Sequence, residues 1–316
     1  MPQPTSTDVH VDAILTNMSV AYMQEAYAFV ASRAFPQVSV AKQTDKYFTY
    51  SQADFMRDQV QRRADGTESA GTGYSLSTAS YSCDVFALHK DIGDQTRANS
   101  DSPLNPDMDA TRFLTQQMLI RQEVEWAAAA FTTSVWGTDS TPGTLWSAAS
   151  STPIADIEAG KNTVLTNTGY VPNTLIMSYK VFSALVDNAD IVDRIKYTTQ
   201  DSVTEDLLAR LFNVDRVLVM AGTYNTAAEG ATASYSQIGD RDALLCYTPA
   251  NPGLMVPSAG YSMVWNGISS GLGTSSAVSR FRMEERKADR IEIESAWDTK
   301  IVSSALGYFF SNCVAS

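Results

Sequence analysis

Hydrophobic residues recur along this chain in three rhythms. Two short uninterrupted runs, Thr174–Met177 and Val217–Met220, read as strands buried on both faces. Between them the spacing becomes helical. Ser178 is placed to cap a helix with Val181, Leu185, Val192 and Ile195 on its buried side. Ser202-Val203-Thr204-Glu205 has the capping-box pattern, with Leu207, Leu208 and Leu211 as the apolar face behind it. The stretch Val171 to Ala227 is therefore expected to be a strand–helix–helix–strand unit.

A longer helical rhythm precedes it. Phe113, Gln117, Ile120, Val124, Ala127 and Phe131 alternate spacings of four and three, one face of a long helix over about 107–135. Asp107 or Asp109 is expected to cap it, and Trp126 with Ala127–Ala130 marks burial near its end. Trp136–Pro153, rich in Gly, Ser, Thr and Pro, reads as a crossing, and Ile154–Thr166 as a further helix.

The third rhythm is alternation. Lys46–Tyr50 has strand character, Asp54–Arg63 is charged, and "RRADGTESAGTG" is a Gly-rich tip. Tyr74–Leu88 then alternates as a returning strand, so residues 45–90 predict a long hairpin. A solitary hairpin is marginal in water and needs a surface to lie on. That surface is either its own sheet or another molecule. Residues 91–106 form a polar linker. Ala243–Tyr247 and Tyr261–Trp265 are strand-like around a Pro- and Gly-rich turn region. Val278–Glu285 and Ile291–Ser295 alternate about a turn expected at Ala288-Asp289-Arg290, and Asp298–Phe310 reads as a final strand. The class is α+β.

Residues 1–40 open with a polar, Pro-containing tail. Val11, Ile14, Leu15, Met18, Tyr22, Ala26, Phe29 and Val30 follow in partly helical spacing, and Phe35-Pro36 should stop any helix. This segment is either a helix packed on its own domain or an arm with an apolar side.

The chain has 316 residues, enough for one large or two smaller domains. A hydrophobic content of 44% and charged content of 18% are those of a folded protein. No run is long and apolar enough to span a bilayer, and the start lacks the form of a secretory signal. A net charge of -12 argues against a protein whose main task is gripping nucleic acid, and reads as support for solubility. Cys83, Cys246 and Cys313 are widely separated and read as reduced structural thiols. His10 and His89 are too few for a histidine-rich metal site. No phosphate-binding loop, nucleophile elbow, zinc-protease or dinucleotide motif occurs. Asp187, Asp190 and Asp193 read as a solvated helix face, and the Asn17-Met18-Ser19 sequon as chance. No catalytic, cofactor-binding or metal-ligating residue is assigned, and no cofactor is expected.

The order of "NTLIMS", "FSALVDNADIVDRIKY", "DLLARLFNVDRVLV" and "YNTA" resembles the axial domain of tailed-phage major capsid proteins of the Hong Kong 97 fold. The resemblance runs from about Val9 to the end, and Asn173–Thr226 is its most specific part. It implies an N-terminal arm over 1–44 that lies across a neighbouring subunit, and an extended loop over 45–90. It also implies a peripheral domain over 91–150 and 266–316 with a long spine helix, and an axial domain over 151–265. The implied protein is a non-enzymatic virion subunit, assembled in the host cytoplasm into hexamers and pentamers of an icosahedral shell around double-stranded DNA, with no sequence-specific DNA contact and no membrane. No long helical extension precedes the arm, so a separate scaffolding protein is expected rather than a fused one; a portal and a decoration protein are further implied partners. Arg57, Arg62 and Arg63 on the loop are expected to pair between subunits with Glu284, Glu285, Glu292 and Glu294 on the closing hairpin. The alternatives are an encapsulin-type cellular compartment, a soluble monomeric α/β enzyme, and a tail or decoration protein.

Overall fold

The computed structural model describes residues 23–100, 104–195, 203–253, 255–268 and 276–315. Expectations for Val11 to Tyr22, His10, the Asn17 sequon and Ser202 lie outside these residues. The chain enters through a single helical turn, α1 (Ala31–Ala34), which ends where Phe35 turns extended before Pro36. It continues through β1 (Gln37–Val40), β2 (Thr44–Tyr50), the short α2 (Gln52–Phe55), β3 (Leu76–Ser82) and β4 (Asp84–Gly93). After α3 (Asp94–Ala98) comes the long α4 (Pro106–Ala130), with Pro106 in its first turn. Its cap is the Asn105 side chain, which accepts from the Met108 N–H at 3.2 Å, and not Asp107 or Asp109. Those two aspartates occupy the first turn, where they favour the helix dipole.

Then follow β5 (Thr138–Ser140), α5 (Pro153–Thr168), β6 (Thr174–Ser178), α6 (Tyr179–Val186), α7 (Ala189–Ile195), α8 (Glu205–Phe212) and β7 (Arg216–Met220). The remainder is β8 (Thr223–Asn225), β9 (Tyr235–Gln237), β10 (Ala243–Cys246), β11 (Gly260–Trp265), β12 (Ser276–Met283), β13 (Ala288–Ile301) and β14 (Gly307–Phe310). Ser178 caps α6 as expected, accepting from the Val181 N–H. The predicted single helix after it is two helices, broken at the buried Asn188. Its side chain bonds the Trp146 carbonyl and the Ser151 hydroxyl. Ile191 therefore takes the buried position expected of Val192, which is exposed. Thr204 caps α8, accepting from the Leu207 N–H at 3.3 Å.

Two five-stranded sheets organise the molecule. The first has the order β1-β11-β13-β12, with β4 on the other edge of β13. The second has the order β5-β14-β10-β6-β7. The second is buried on both faces, which is why its strands read as unbroken apolar runs. Leu175, Met177, Val219, Leu245 and Phe310 face α5 to α8. Ile176, Leu218, Leu244 and Phe309 face the other way, onto Val30, Phe35, Trp126 and Trp136. On the first sheet, Ile291 and Ile293 pack on Ala110 and Leu114 of α4.

Several expectations need correction. The buried stripe of α4 is Ala110, Leu114, Gln116, Glu123, Trp126 and Ala130, while Phe113 is exposed. The helix changes partner along its length, so one regular stripe does not describe it. The hairpin pairs only Thr44–Tyr50 with Leu76–Ser82. The rest of the predicted returning strand is β4, which leaves to pair with β13. The turn before β13 is at Glu284–Arg286 with Lys287 left-handed, and Ala288–Arg290 already belong to the strand. Asp298–Phe310 is not one strand: β13 runs to Ile301, and β14 crosses into the second sheet. Sheet membership thus departs from the sequence boundaries. β11 joins the first sheet although it lies within 151–265, and β5 and β14 join the second. The described end of the segment 1–44 is also partly its own chain's core: Phe29, Val30, Ala34 and Phe35 are buried, and β1 pairs with β11.

Candidate assembly surfaces

The β2–β3 hairpin leaves the body with apolar side chains in solvent. Phe48, Phe55, Met56, Val60, Tyr74 and Leu76 are all exposed. Its root is anchored: Tyr81 and Cys83 enter a small core with Tyr261 and Met263, and Asp298 accepts from the Ser82 N–H at 2.9 Å. Its neck is closed by a side-chain clamp. The Asp54 carboxylate accepts from the Ser75 N–H at 2.9 Å and from the Ser75 hydroxyl. The Ser75 bonds hold that carboxyl below its usual range. Tyr50, Phe55 and Tyr74 surround the clamp with ring centroids 5.7–5.9 Å apart. Beyond the neck, Arg57, Arg62 and Arg63 are exposed; Arg63 bonds the Thr67 carbonyl.

The closing hairpin presents the acidic set. Glu284 and Glu285 are exposed at its turn. Because Ile291 and Ile293 face α4, strand alternation puts Glu292 and Glu294 on the opposite face of the sheet. His89 of β4 lies opposite Glu292. Burial, together with neighbouring Glu292, raises the Glu294 carboxyl. Within one chain the structure does not bring the arginine and glutamate sets together. Glu284 is 3.6 Å from Arg282, and among the described residues no ion pair joins the two sets.

The hairpin arginines instead serve their own chain. Asp289, almost fully buried, accepts from Arg280 at 2.5 Å, from Arg97 at 2.6 Å and from Arg282 at 3.4 Å. Those bonds hold its carboxyl at about 2, against the cost of burial. Arg97 also reaches Asp107 at 2.8 Å, tying α3, α4 and β13 together. Arg282 forks onto Asp94 at 2.5 and 2.6 Å. Sequence reading missed this cluster because it assigned Asp289 to a turn.

The arm root is held on three sides. Gln24 exchanges two hydrogen bonds with the Thr223 backbone, at 2.6 and 2.8 Å. Tyr27 donates to Glu205, and the Ala28 carbonyl accepts from the Ala221 N–H at 3.1 Å. Glu123 of α4, fully buried, accepts from the Val30 N–H at 3.0 and 2.9 Å and from the Ala31 N–H at 2.7 Å. Its one legible signal was a glutamate set between Ile120, Val124 and Trp126.

The three thiols are free and buried, and burial pushes Cys83 up to about 11 and Cys246 up to about 12. No group of three or more metal-ligating side chains is found among the described residues. Asp187, Asp190 and Asp193 flank the α6–α7 break, Asp187 and Asp193 exposed. What the surface offers is a hairpin with exposed apolar side chains, tied at α2 to the end of α5 by Gln52 on the Asn167 carbonyl, an arm root and charged faces.

No protein-family profile matches the chain. Among curated proteins, the major capsid protein of Burkholderia phage BcepMu is 23% identical over 310 residues, covering 95% of this chain and 96% of the relative. Among solved structures, a phage-related protein from Bordetella bronchiseptica RB50 superposes with a TM-score of 0.69 at 22% identity, covering 90% of this chain and 92% of the other. The capsid of cyanophage P-SCSP1u superposes with a TM-score of 0.61 at 10% identity, covering 96% and 93%. The SrpI encapsulin complex of Synechococcus elongatus PCC 7942 does so with a TM-score of 0.61 at 11% identity, covering 96% and 92%.

Proposed function

We infer that this chain, which has the Hong Kong 97-type capsid fold, is a phage major capsid protein: a structural subunit, not an enzyme, that assembles with copies of itself into the shell of the virion. The observation that carries this is the end-to-end likeness to one named major capsid protein, over 95% of this chain. The exposed hairpin supports it physically. Six exposed large apolar side chains, Phe48 and Leu76 on the paired strands and Phe55, Met56, Val60 and Tyr74 on the excursion between them, call for a partner, and a neighbouring copy supplies one.

The finer reading is that the subunits form hexamers and pentamers of an icosahedral shell around double-stranded DNA, in the host cytoplasm. The net charge of -12 suits a wall that encloses DNA without gripping it. A separate scaffolding protein, a portal and a decoration protein complete the proposed partners. The segment 1–44 serves as the arm and 45–90 as the extended loop. Residues 91–150 and 266–316 make up the peripheral domain and 151–265 the axial domain, with β11 of the axial range and β5 and β14 of the peripheral range exchanged between their sheets. Arg57, Arg62 and Arg63 of one copy pair with Glu284, Glu285, Glu292 and Glu294 of the next. The three arginines, Glu284 and Glu285 are exposed and Glu292 and Glu294 half-buried, and among the described residues no ion pair joins the two sets within one chain.

Negative-stain electron microscopy with light scattering on the purified protein tests the assembly. Closed shells tens of nanometres across are expected, with co-expression of a scaffold where the chain alone stays small. A chain that remains monomeric at every salt and protein concentration, scaffold included, overturns the reading. The likeness to an encapsulin favours a second reading, a cellular compartment, and the contents decide between them: DNA for a phage, a cargo protein for a compartment.

A further inference from the structure

The joint between the arm root and α4 is made by one carboxyl. Glu123 has no solvent exposure, and its oxygens accept the backbone N–H groups of Val30 and Ala31. Those amides open α1, whose four residues have no side-chain cap of their own. One turn further along the same helix, Trp126 packs on Phe35 at 5.7 Å between ring centroids. Glu123 and Trp126 together seat the segment from Val30 to Phe35.

The charges around Glu123 do little to hold it ionised. Arg33 of α1 is the nearest cation acting on it. Its guanidinium is bonded instead to the Tyr27 carbonyl at 2.7 Å and the Phe29 carbonyl at 3.2 Å, and lies over the Tyr27 ring. On α4 itself, Arg121 and Glu125 pair with each other. Arg216 of β7 reaches only the far end of α1, with the Ala34 carbonyl 3.5 Å away. From β6, β7, β10 and β14 the joint meets Ile176, Leu218, Leu244 and Phe309, and the buried thiol of Cys246. Burial accordingly lifts the Glu123 carboxyl to about 7, against the pull of the Val30 and Ala31 amides.

We propose that Glu123 is a proton-operated latch for the root of the N-terminal arm: the joint is closed while the carboxyl carries its proton, and loosens Val30 and Ala31 from α4 when the proton leaves. A protonated carboxyl keeps both amides on Oε2, at 2.9 and 2.7 Å, gives up the 3.0 Å contact of Oε1 with the Val30 N–H, and places no charge among apolar side chains. An ionised one keeps a full charge there, and opening to water relieves it. A carboxyl held above its usual value binds its proton more tightly in the closed joint than in the open one. Closure therefore weakens as pH rises from the ordinary glutamate value to about 7, and is level outside that window. The inference stands on the fold alone and does not depend on the shell reading.

Hydrogen exchange at the Val30 and Ala31 amides tests it, followed in the full-length unassembled chain from about pH 5 to about pH 8.5. Protection is corrected for the intrinsic pH dependence of exchange, with the Leu244 and Leu245 amides as internal reference. Protection at Val30 and Ala31 is expected to fall roughly fiftyfold to a hundredfold across the range, approaching tenfold per unit of pH within the window, while the reference stays level. In Glu123→Gln the profile is expected to be level throughout. A level profile in the parent chain, or an equal fall in Glu123→Gln, overturns the proposal. Where the glutamine variant does not fold, the parent profile decides alone: a fall ending near neutrality supports the latch, and its absence removes it.

Discussion

Arg290 and Asp91 lie directly opposite each other across β13 and β4, joined by a fork. Nε meets Oδ1 at 2.7 Å and Nη2 meets Oδ2 at 2.9 Å. Arg286, from the turn before β13, reaches the same carboxylate at 3.2 Å. One residue earlier on β13, Asp289 collects Arg97, Arg280 and Arg282. The closing hairpin is thus pinned to the first sheet and to α4 by carboxylates from its own chain, and its glutamates remain outward for other contacts.

Asp289 makes the first prediction. Its carboxyl is held at about 2, mainly by Arg280. The stabilisation it gives is complete above the ordinary aspartate value and is lost as pH falls from about 4 toward 2. Asp289→Asn is expected to lower Tm by a few degrees at neutral pH and to flatten the loss of Tm between those two pH values. Thermal melts across that range check it.

Gly307 makes the second. A Cβ there would stand 2.0 Å from Trp136 Cε3. The indole cannot retreat freely, because its Nε1 donates to the Ala130 carbonyl at 2.7 Å and its ring lies against Phe35. Gly307→Ala is expected to cost about 1–3 kcal/mol by overpacking, read from denaturant unfolding.

Lys161 makes the third. Its ammonium is buried on α5 and donates to the Phe212 carbonyl, the last of α8, at 2.9 Å. Lys161→Met keeps the packing volume but leaves that carbonyl without its donor. A loss of about 1–3 kcal/mol is expected, with α8 amides losing protection from hydrogen exchange before the strands β6 and β7.

The loop arginines make the fourth. Each exposed pair contributes only about 0–1 kcal/mol, but a closed shell repeats the contact around every subunit. Arg62→Glu with Arg63→Glu is expected to reduce shell yield and heat resistance at low salt while leaving the Tm of the isolated chain unchanged. Unaltered shells at low salt would remove these residues from the interface.

The second sheet was legible because burial on both faces erases alternation, so Thr174–Met177 and Val217–Met220 stood out as unbroken runs. The Ser178 cap was legible because a hydroxyl before an apolar helix has one local use. The spine helix was legible in its start but not in its end, which is Ala130 and not about residue 135, nor in its orientation. Its first half rests on Ile291 and Ile293, its second on Phe35 and the second sheet, and a single periodicity cannot encode two partners. Strand alternation likewise marks Tyr261–Trp265 and Gly307–Phe310 as strands without saying which sheet receives them. Asp289 was misplaced because a short acidic–basic stretch after alanine reads locally as a turn. The true turn uses Lys287 at φ 47°, a conformation that lysine composition does not advertise.

The crossing of β14 into the second sheet has a kinetic meaning. β10 sits between β6 and β14, so a strand formed mid-chain waits for residues 307–310 before its second edge is filled. The first sheet waits nearly as long, because β13 is its spine. Neither sheet can therefore close on local contacts alone. In refolding, protection of the β10 amides from hydrogen exchange waits on the docking of β14, behind the locally connected unit from β6 to β7.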